Sequence, residues 1–280
     1  MEISKEKQEF KLTAENYHSP EARMHYMGAS MFKDFLKCEV MALAKAKGEY
    51  EEKTSDALLV GSYVDAYFSG ELDEFLVNHP EMFTKQGTLL AKYKVAEDVI
   101  KSIENTEDEN GEKIMLKYLS GQKQVIMTGE IAGVPWKIKM DSYHPGKLIV
   151  DQKVMKDMDA TWVEIDGRNV KTDFITAYRY DIQGASYQEI ERQNSESHKQ
   201  LPFVLEVTTK EDVPDNALIR IDQEYLDYAL DEIKAKAPRF WGIIQGKIEP
   251  HGCGHCPVCR MKKKVTGVMS YKKLFKETEE

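Results

Sequence analysis

Residues 134–154 read VPWKIKMDSYHPGKLIVDQKV, and this stretch decides the fold. It is rich in β-branched and aromatic residues, and the His-Pro-Gly at 144–146 punctuates it as a turn. Two strands are therefore predicted, WKIKMD closing at Asp141 and LIVDQK returning antiparallel to it, which brings Asp141 beside Asp151. Asp151 and Lys153 are two positions apart on a strand, so their side chains share a face. Two carboxylates and one ammonium group are expected at the same spot.

D-x-K alone is a weak pattern, but its position on a buried strand makes a functional role for Asp151 and Lys153 more specific. The apolar run at 148–150 indicates a buried strand, and a carboxylate and a lysine at its end are costly unless they are paired or functional. Metal-assisted cleavage of a phosphodiester requires rigid oxygen ligands for Mg²⁺ and a cation near the reacting phosphate. Asp141, Asp151 and the backbone carbonyl of Gln152 are candidate ligands, and Lys153 is the candidate cation.

The rest of the chain predicts helices on both sides of a run of strands. One helix is expected from Ser30 to a stop at Gly48, and others over 55–68, 89–103, 174–193 and 223–245. Further strands are expected over 125–131, 202–209 and 217–222. This order indicates an α+β or mixed α/β core. Residues 1–29 are polar and predict an N-terminal arm, and 30–280 predict one domain that ends in a cysteine-containing segment, 250–280.

Composition excludes two broad classes of protein. Apolar residues make up 41% of the 280 residues and charged residues 31%, which fits neither a disordered nor a membrane protein. The N-terminus lacks a signal-peptide pattern, so the protein is expected in the cytoplasm. A net charge of -9 argues against nonspecific coating of nucleic acid, yet an enzyme that acts on DNA remains compatible with it.

An aspartate, a turn and a hydrophobic strand ending in D-x-K resemble motifs II and III of the PD-(D/E)XK nucleases. Here these are Asp141 and the strand end 151–153. The following helix carries Gln183 and Tyr187, similar to the Q-x-x-x-Y motif of the branch that contains lambda exonuclease, RecE and the RecB nuclease domain. Gln183 and Tyr187 lie one helical turn apart and therefore share a face.

A segment upstream adds a third point of resemblance. Residues 61–65, GSYVD, resemble the G-x-x-x-H segment whose histidine is a metal ligand in RecB-like domains. This chain has Asp65 at that position, and a carboxylate oxygen suits Mg²⁺. Glu130 is a further acidic candidate close to the Asp141 strand, with strand capping as its alternative role.

The resemblance covers about residues 30–259 and is strongest to phage RecE-type exonucleases. It implies a restriction-endonuclease-like core with a central mixed β-sheet flanked by helices. Lys153 would orient or deprotonate the attacking water or stabilise the phosphorane, and Gln183 and Tyr187 would position the scissile strand. Four groups would hold one or two Mg²⁺ or Mn²⁺ ions: Asp65, Asp141, Asp151 and the carbonyl of Gln152.

Enzymes of this type digest linear duplex DNA from a free end, often as ring-shaped homo-oligomers, and pass the remaining single strand to an annealing protein. The expected function is therefore an exodeoxyribonuclease that supplies single strands for recombination in a bacterial or phage-infected cell. Two alternatives stay open. One is an endonuclease of the same superfamily, and the other is a noncatalytic DNA-binding adaptor in which the late cysteines form a zinc knuckle.

The four cysteines predict a metal site rather than disulfides, given a cytoplasmic location. Cys253, Cys256 and Cys259 form C-x-x-C-x-x-C, and Cys38 lies far upstream. This arrangement resembles the staple of AddB-like nucleases, in which a [4Fe-4S] cluster ties the two ends of the domain together. Zn²⁺ held by the three late cysteines with His251 or His255 is the alternative metal site, and free thiols are the remaining one.

Overall fold

The computed structural model describes residues 10–165, 168–265, 267–268 and 270–271. Within these ranges the strands are β1 (Gln122–Ile131), β2 (Val134–His144), β3 (Leu148–Met155), β4 (Thr161–Ile165), β5 (Arg168–Thr172), β6 (Phe203–Thr209) and β7 (Asn216–Arg220). Five of them form one sheet in the order β1-β2-β3-β6-β7, and β4 and β5 form a separate hairpin. β3 and β6 are parallel and the other neighbours antiparallel, so the central sheet is mixed, as predicted.

Helices surround this sheet. They are α1 (Pro20–His25), α2 (Ala29–Lys37), α3 (Glu39–Ala46), α4 (Asp56–Ser69), α5 (Leu72–Asn78), α6 (Val95–Asn105), α7 (Ile114–Leu119), α8 (Phe174–Tyr178), α9 (Tyr180–Asn194), α10 (Gln223–Ile244) and α11 (Pro257–Lys262). Short 3₁₀ turns occupy Pro80–Met82 and Ala91–Tyr93. The α+β architecture inferred from the order of elements is therefore confirmed.

Two hydrophobic clusters cover the opposite faces of the sheet. Successive strand residues point to opposite faces, and the neighbours Ile149 and Val150 on β3 belong to different clusters. The Ile149 cluster includes side chains of α2, α9 and α10, and the Val150 cluster includes side chains of α4, α6 and α7. Since β3 is buried on both faces, it is well placed to hold the polar residues within it rigidly.

Two predicted helices are each broken in two, at positions that later bear on the site. Cys38 is extended, with φ −164° and ψ 112°, and separates α2 from α3. Arg179 has a left-handed backbone, with φ 54°, and separates α8 from α9. Bonds from the Arg179 guanidinium to Asp181 and Glu232 hold this break in place.

Other boundaries also differ from the sequence predictions. The third predicted helix begins at Val95 rather than at residue 89, after a 3₁₀ turn. The hairpin formed by β4 and β5 and the short helices α1, α5, α7 and α11 were not predicted, because each is too short to show a clear period. The helix predicted over 55–68 is confirmed as α4: Ser55 caps its N-terminus and Gly70, with φ 82°, ends it.

The predicted N-terminal arm contacts the sheet over the part that the structure describes. Met27 is fully buried and pairs with Trp136 of β2, and Ser19 caps α1. Residues 1–9 of the arm and 272–280 of the predicted C-terminal segment lie outside the described residues. Within the described ranges, no helix is both long and apolar enough to cross a membrane.

Candidate active site and cysteine centre

β2 and β3 part from one another where the predicted catalytic residues lie. The two strands pair through Ser142↔Val150, Tyr143↔Ile149 and His144↔Leu148. Just beyond the first of these pairs, the carboxylate of Asp141 accepts the backbone N–H of Gln152 at 2.9 Å. β2 continues to His144, so Asp141 lies inside the strand rather than at its end as predicted. Residues 151–153 likewise lie inside β3, which continues to Met155, rather than at a strand end as predicted. The structure nevertheless brings Asp141 next to them.

Asp151 is held by two partners on the sheet face that it shares with Lys153. Its side chain is almost completely buried, with the residue 1% exposed. Oδ1 accepts a hydrogen bond from the amide of Gln183 at 2.6 Å, and Oδ2 contacts the ammonium of Lys153. These contacts offset the cost of burying the carboxylate charge.

The Lys153 ammonium group lies at the centre of this arrangement. Besides Asp151, its Nζ atom is 3.4 Å from the carbonyl oxygen of Gln152 and 5.3 Å from the centre of the Tyr180 ring. Burial lowers the pKa of Lys153, but the charges of Asp151 and Asp141 raise it overall, so the side chain is charged at neutral pH. A fixed cation therefore faces the same space as the two carboxylates.

The negative charges of Asp65, Asp141 and Asp151 repel one another, and a divalent cation would stabilise them. Burial, followed by the charges of Asp151 and Asp65, raises the pKa of Asp141 well above its usual value. Burial is also the largest cause of the raised pKa of Asp65. Neighbouring buried carboxylates disfavour one another's ionisation, and a bound cation relieves that repulsion. This donor set of hard oxygens therefore fits Mg²⁺ or Mn²⁺.

Asp65 is brought to the site by a helix rather than by the central sheet. Among the described residues, Asp65, Asp141 and Asp151 are not close enough to one another to form a group of three metal ligands. Asp65 is on α4, and its Oδ1 accepts a hydrogen bond from the amide of Gln124 at 3.2 Å. Asp65 therefore lines the same cavity as the other two carboxylates.

The helix α9 brings the predicted Q-x-x-x-Y pair to Asp151. The Nε2 atom of Gln183 that bonds to Asp151 also lies 3.3 Å from the hydroxyl of Tyr187. Gly184 allows this close approach, because a Cβ there would lie 2.6 Å from Cδ1 of Phe203 on β6. The glycine inside the motif therefore brings α9 close to the sheet, and Gln183 within reach of Asp151.

The site opens into a cavity of about 700 Å³ whose wall includes cations that sequence reasoning missed. Lys137 and Lys139 on β2 line it together with Tyr17 and His18 from the N-terminal segment. The Tyr17 ring centre is 4.6 Å from Nζ of Lys137, which donates to the Tyr17 carbonyl. Burial, aided by the two lysines, lowers the pKa of His18 to about 4. The alternation of Lys137, Lys139 and Asp141 along one strand was the available signal.

Glu130, which was a predicted site residue, and Glu206, which was not, lie in different parts of the sheet. Glu130 is exposed at the far end of β1 and does not line the cavity; its backbone bonds to the side chain of Gln193. The structure therefore does not bring Glu130 to the site. Glu206, which was not predicted, pairs with Gln152 in the parallel register of β3 and β6 and is fully buried. Burial raises its pKa to about 8.

The cysteines form a second centre, away from the carboxylates. The Sγ atoms of Cys38, Cys253, Cys256 and Cys259 all lie within 4.8 Å of one another. Cys38 is buried at the break between α2 and α3, and the others belong to the segment at the start of α11. His251 and His255 are exposed and are not part of this group. The donor set thus consists of four thiols, which suits a soft or borderline metal.

Comparison with known proteins agrees with the geometry of this site. A family model described as "PDDEXK-like domain of unknown function (DUF3799)" matches residues 28–262. A crystal structure from Eubacterium rectale named "Putative exonuclease" is 44% identical to the chain, with a TM-score of 0.86. That alignment covers 96% of this chain and 99% of the other. None of the curated proteins matches the chain.

Proposed function

Because the chain belongs to the DUF3799 family of PDDEXK-like domains, we propose that it is a metal-dependent exonuclease that digests linear double-stranded DNA from its ends. One arrangement carries the proposal. Asp141, Asp151 and Lys153 meet in a cavity at the point where β2 and β3 part. The similarity to a structure named as an exonuclease supports the same class of reaction.

Each group in the cavity has a role that follows from its contacts. Asp141, Asp151 and the carbonyl oxygen of Gln152 would hold Mg²⁺ or Mn²⁺, with Asp65 contributing from α4. The bound ion would supply Lewis acidity at the phosphate. Lys153 would place its positive charge beside the phosphate as negative charge develops there, since it is already fixed by Asp151.

Gln183 and Tyr187 would orient the site rather than react. The Gln183 amide donates a hydrogen bond to one oxygen of Asp151, so α9 determines the orientation of this carboxylate. Tyr187 is buried, and its hydroxyl lies next to the same amide. Lys139, which is partly exposed, would contact a backbone phosphate of the DNA, whereas Lys137 is buried against Tyr17.

The finer parts of the proposal come from the resemblance to RecE-type exonucleases. We extend it to a ring-shaped homo-oligomer that acts in a bacterial or phage-infected cell and hands the remaining single strand to an annealing protein for recombination. Residues 30–280 would act in it as a single nuclease domain. A ring would keep the enzyme on its substrate between successive cuts.

Cleavage of matched DNA substrates tests the proposed function. Purified protein with Mg²⁺ is incubated with a linear duplex and with the same sequence as a covalently closed circle. An exonuclease degrades the linear duplex and leaves the circle intact. An endonuclease cuts the circle, and a noncatalytic adaptor binds DNA and cuts neither form. Either of the last two results would contradict the proposal.

A further inference from the structure

The spacing of the four cysteine sulfur atoms carries an inference that is independent of the proposed nuclease activity. Cys38 Sγ lies 3.7 Å from Sγ of Cys259 and 3.7 Å from Sγ of Cys256. No pair within the group of four is farther apart than 4.8 Å. Such short separations limit what the four thiolates can bind together.

We propose that the four cysteines bind a single Zn²⁺ ion in tetrahedral geometry. In a Zn(Cys)₄ site each Zn–S bond is about 2.3 Å, so the sulfur atoms at the corners of the tetrahedron lie about 3.8 Å apart. The two separations of 3.7 Å that involve Cys38 agree with this edge length. Zinc is the ion that proteins most commonly bind with four cysteines in this geometry.

A [4Fe-4S] cluster does not fit the same four atoms. Each thiolate of such a cluster binds a different iron at the corner of a cube, which places the sulfur atoms roughly 6 Å apart. The four Sγ atoms here lie within 4.8 Å, so the cluster would require every pair to move apart. The resemblance to the iron-sulfur staple of AddB-like nucleases therefore extends to the positions of the cysteines in the chain and not to their geometry.

Backbone donors around the sulfur atoms are those that a charged thiolate site requires. The N–H of Cys253 points to Sγ of Cys38 at 3.5 Å, and the N–H of Cys256 points to Sγ of Cys253 at 3.3 Å. The N–H of Cys259 points to Sγ of Cys256 at 3.4 Å. Four thiolates around one Zn²⁺ carry a net negative charge, which these N–H groups stabilise.

The ion would tie the C-terminal segment to the helices that line the active-site cavity. Cys38 ends α2, and Ser30, Met31 and Asp34 on the same helix line that cavity. The neighbouring N–H of Val40 bonds to the carbonyl of His251, which adds a second link between the two segments. Zinc would therefore act as a structural clamp between residues more than 200 positions apart.

Elemental analysis of the whole chain tests this inference. Protein is purified without oxygen from medium that contains both iron and zinc, and iron, zinc and acid-labile sulfide are measured per chain. We expect about one zinc and no sulfide, with no visible absorbance. Iron with sulfide, iron in place of zinc, or no stoichiometric metal would each overturn the proposal.

Two variants locate the ion. Cys256→Ser should lower the zinc content at least about tenfold, because one of the four ligands is lost. His255→Ala, at the exposed neighbouring position, should keep the zinc content of the wild type. If Cys256→Ser does not fold, Co²⁺ added to the metal-free wild-type protein gives the second measurement: tetrahedral thiolate coordination produces intense visible bands. Zinc loss in His255→Ala, or octahedral cobalt spectra, would contradict the four-cysteine site.

Discussion

Replacing Gly184 by alanine should destabilise the fold and disturb the active site, because Gly184 lies where α9 packs against β6 and α10. The new Cβ would lie 2.6 Å from Cδ1 of Phe203 and 2.8 Å from Cδ2 of Leu226, and both neighbours are buried. Overpacking of this kind costs about 1–3 kcal/mol. Removal of a glycine from a helix interior gains roughly 0.5–1 kcal/mol in return. Two contacts below 3.0 Å place the cost in the upper part of this range, about 2–3 kcal/mol, so the free energy of unfolding should fall by about 1–2.5 kcal/mol.

Gly61 provides the matched control for stability, because it also lies inside a helix that packs on the central sheet. A Cβ at Gly61 would meet its nearest neighbour, Cβ of Val154, at 3.9 Å, which is an ordinary contact. Gly61→Ala should therefore raise the free energy of unfolding by about 0.5–1 kcal/mol. Denaturant unfolding measures both changes: the free energy of unfolding should fall in Gly184→Ala and rise in Gly61→Ala.

Gly184→Ala should also affect the reaction, through the position of Gln183. A shift of α9 away from β6 lengthens the 2.6 Å hydrogen bond from Gln183 to Asp151, so the nuclease rate of Gly184→Ala should fall. The reasoning is refuted if Gly184→Ala is as stable as the wild type, or if the two variants change in the same direction.

Three further predictions follow from the site. Lys153→Ala should lower turnover by orders of magnitude with little change in DNA affinity, as measured by single-turnover cleavage and fluorescence anisotropy; a loss of affinity alone would make it a phosphate-binding residue only. Asp65→Asn should reduce cleavage less than loss of Asp141 or Asp151, because one oxygen of Asp65 is already engaged by the amide of Gln124; equal losses would contradict this lesser role. Glu206 has a folded pKa of about 8, above its unfolded value, so its contribution to stability is present below pH 4.5 and is lost as pH rises through 8. Glu206→Gln should therefore weaken the decline in unfolding free energy between those pH values, and an unchanged pH profile would be inconsistent with a buried, protonated Glu206.

Local patterns in the sequence were sufficient to predict the centre of the site. The alternation of side chains along a strand places Asp151 and Lys153 on one face, and the short turn before that strand brings Asp141 back beside them. The α-helical period likewise predicts that Gln183 and Tyr187 face the same way. Each of these inferences depends only on residues close together in the chain.

Features set by distant parts of the chain could not be predicted in this way. The break at Cys38 brings its sulfur to cysteines more than 200 positions away, and the break at Arg179 depends on Glu232. Tyr17 reaches Lys137 only because the N-terminal segment packs on β2. In each case a long-range contact overrides the local helical or polar pattern.

Cleavage by the Asp151→Asn variant tests the central claim most directly. Asparagine keeps the size of the side chain and removes the charge that would bind the ion, while the amide of Gln183 still faces an oxygen acceptor. Asp159→Asn, at an exposed position beyond the same strand, is the control. With Mg²⁺ and a labelled linear duplex, we expect Asp151→Asn to bind DNA without cutting it and Asp159→Asn to cut at the wild-type rate. Wild-type cleavage by Asp151→Asn would contradict the assignment of this cavity as the active site.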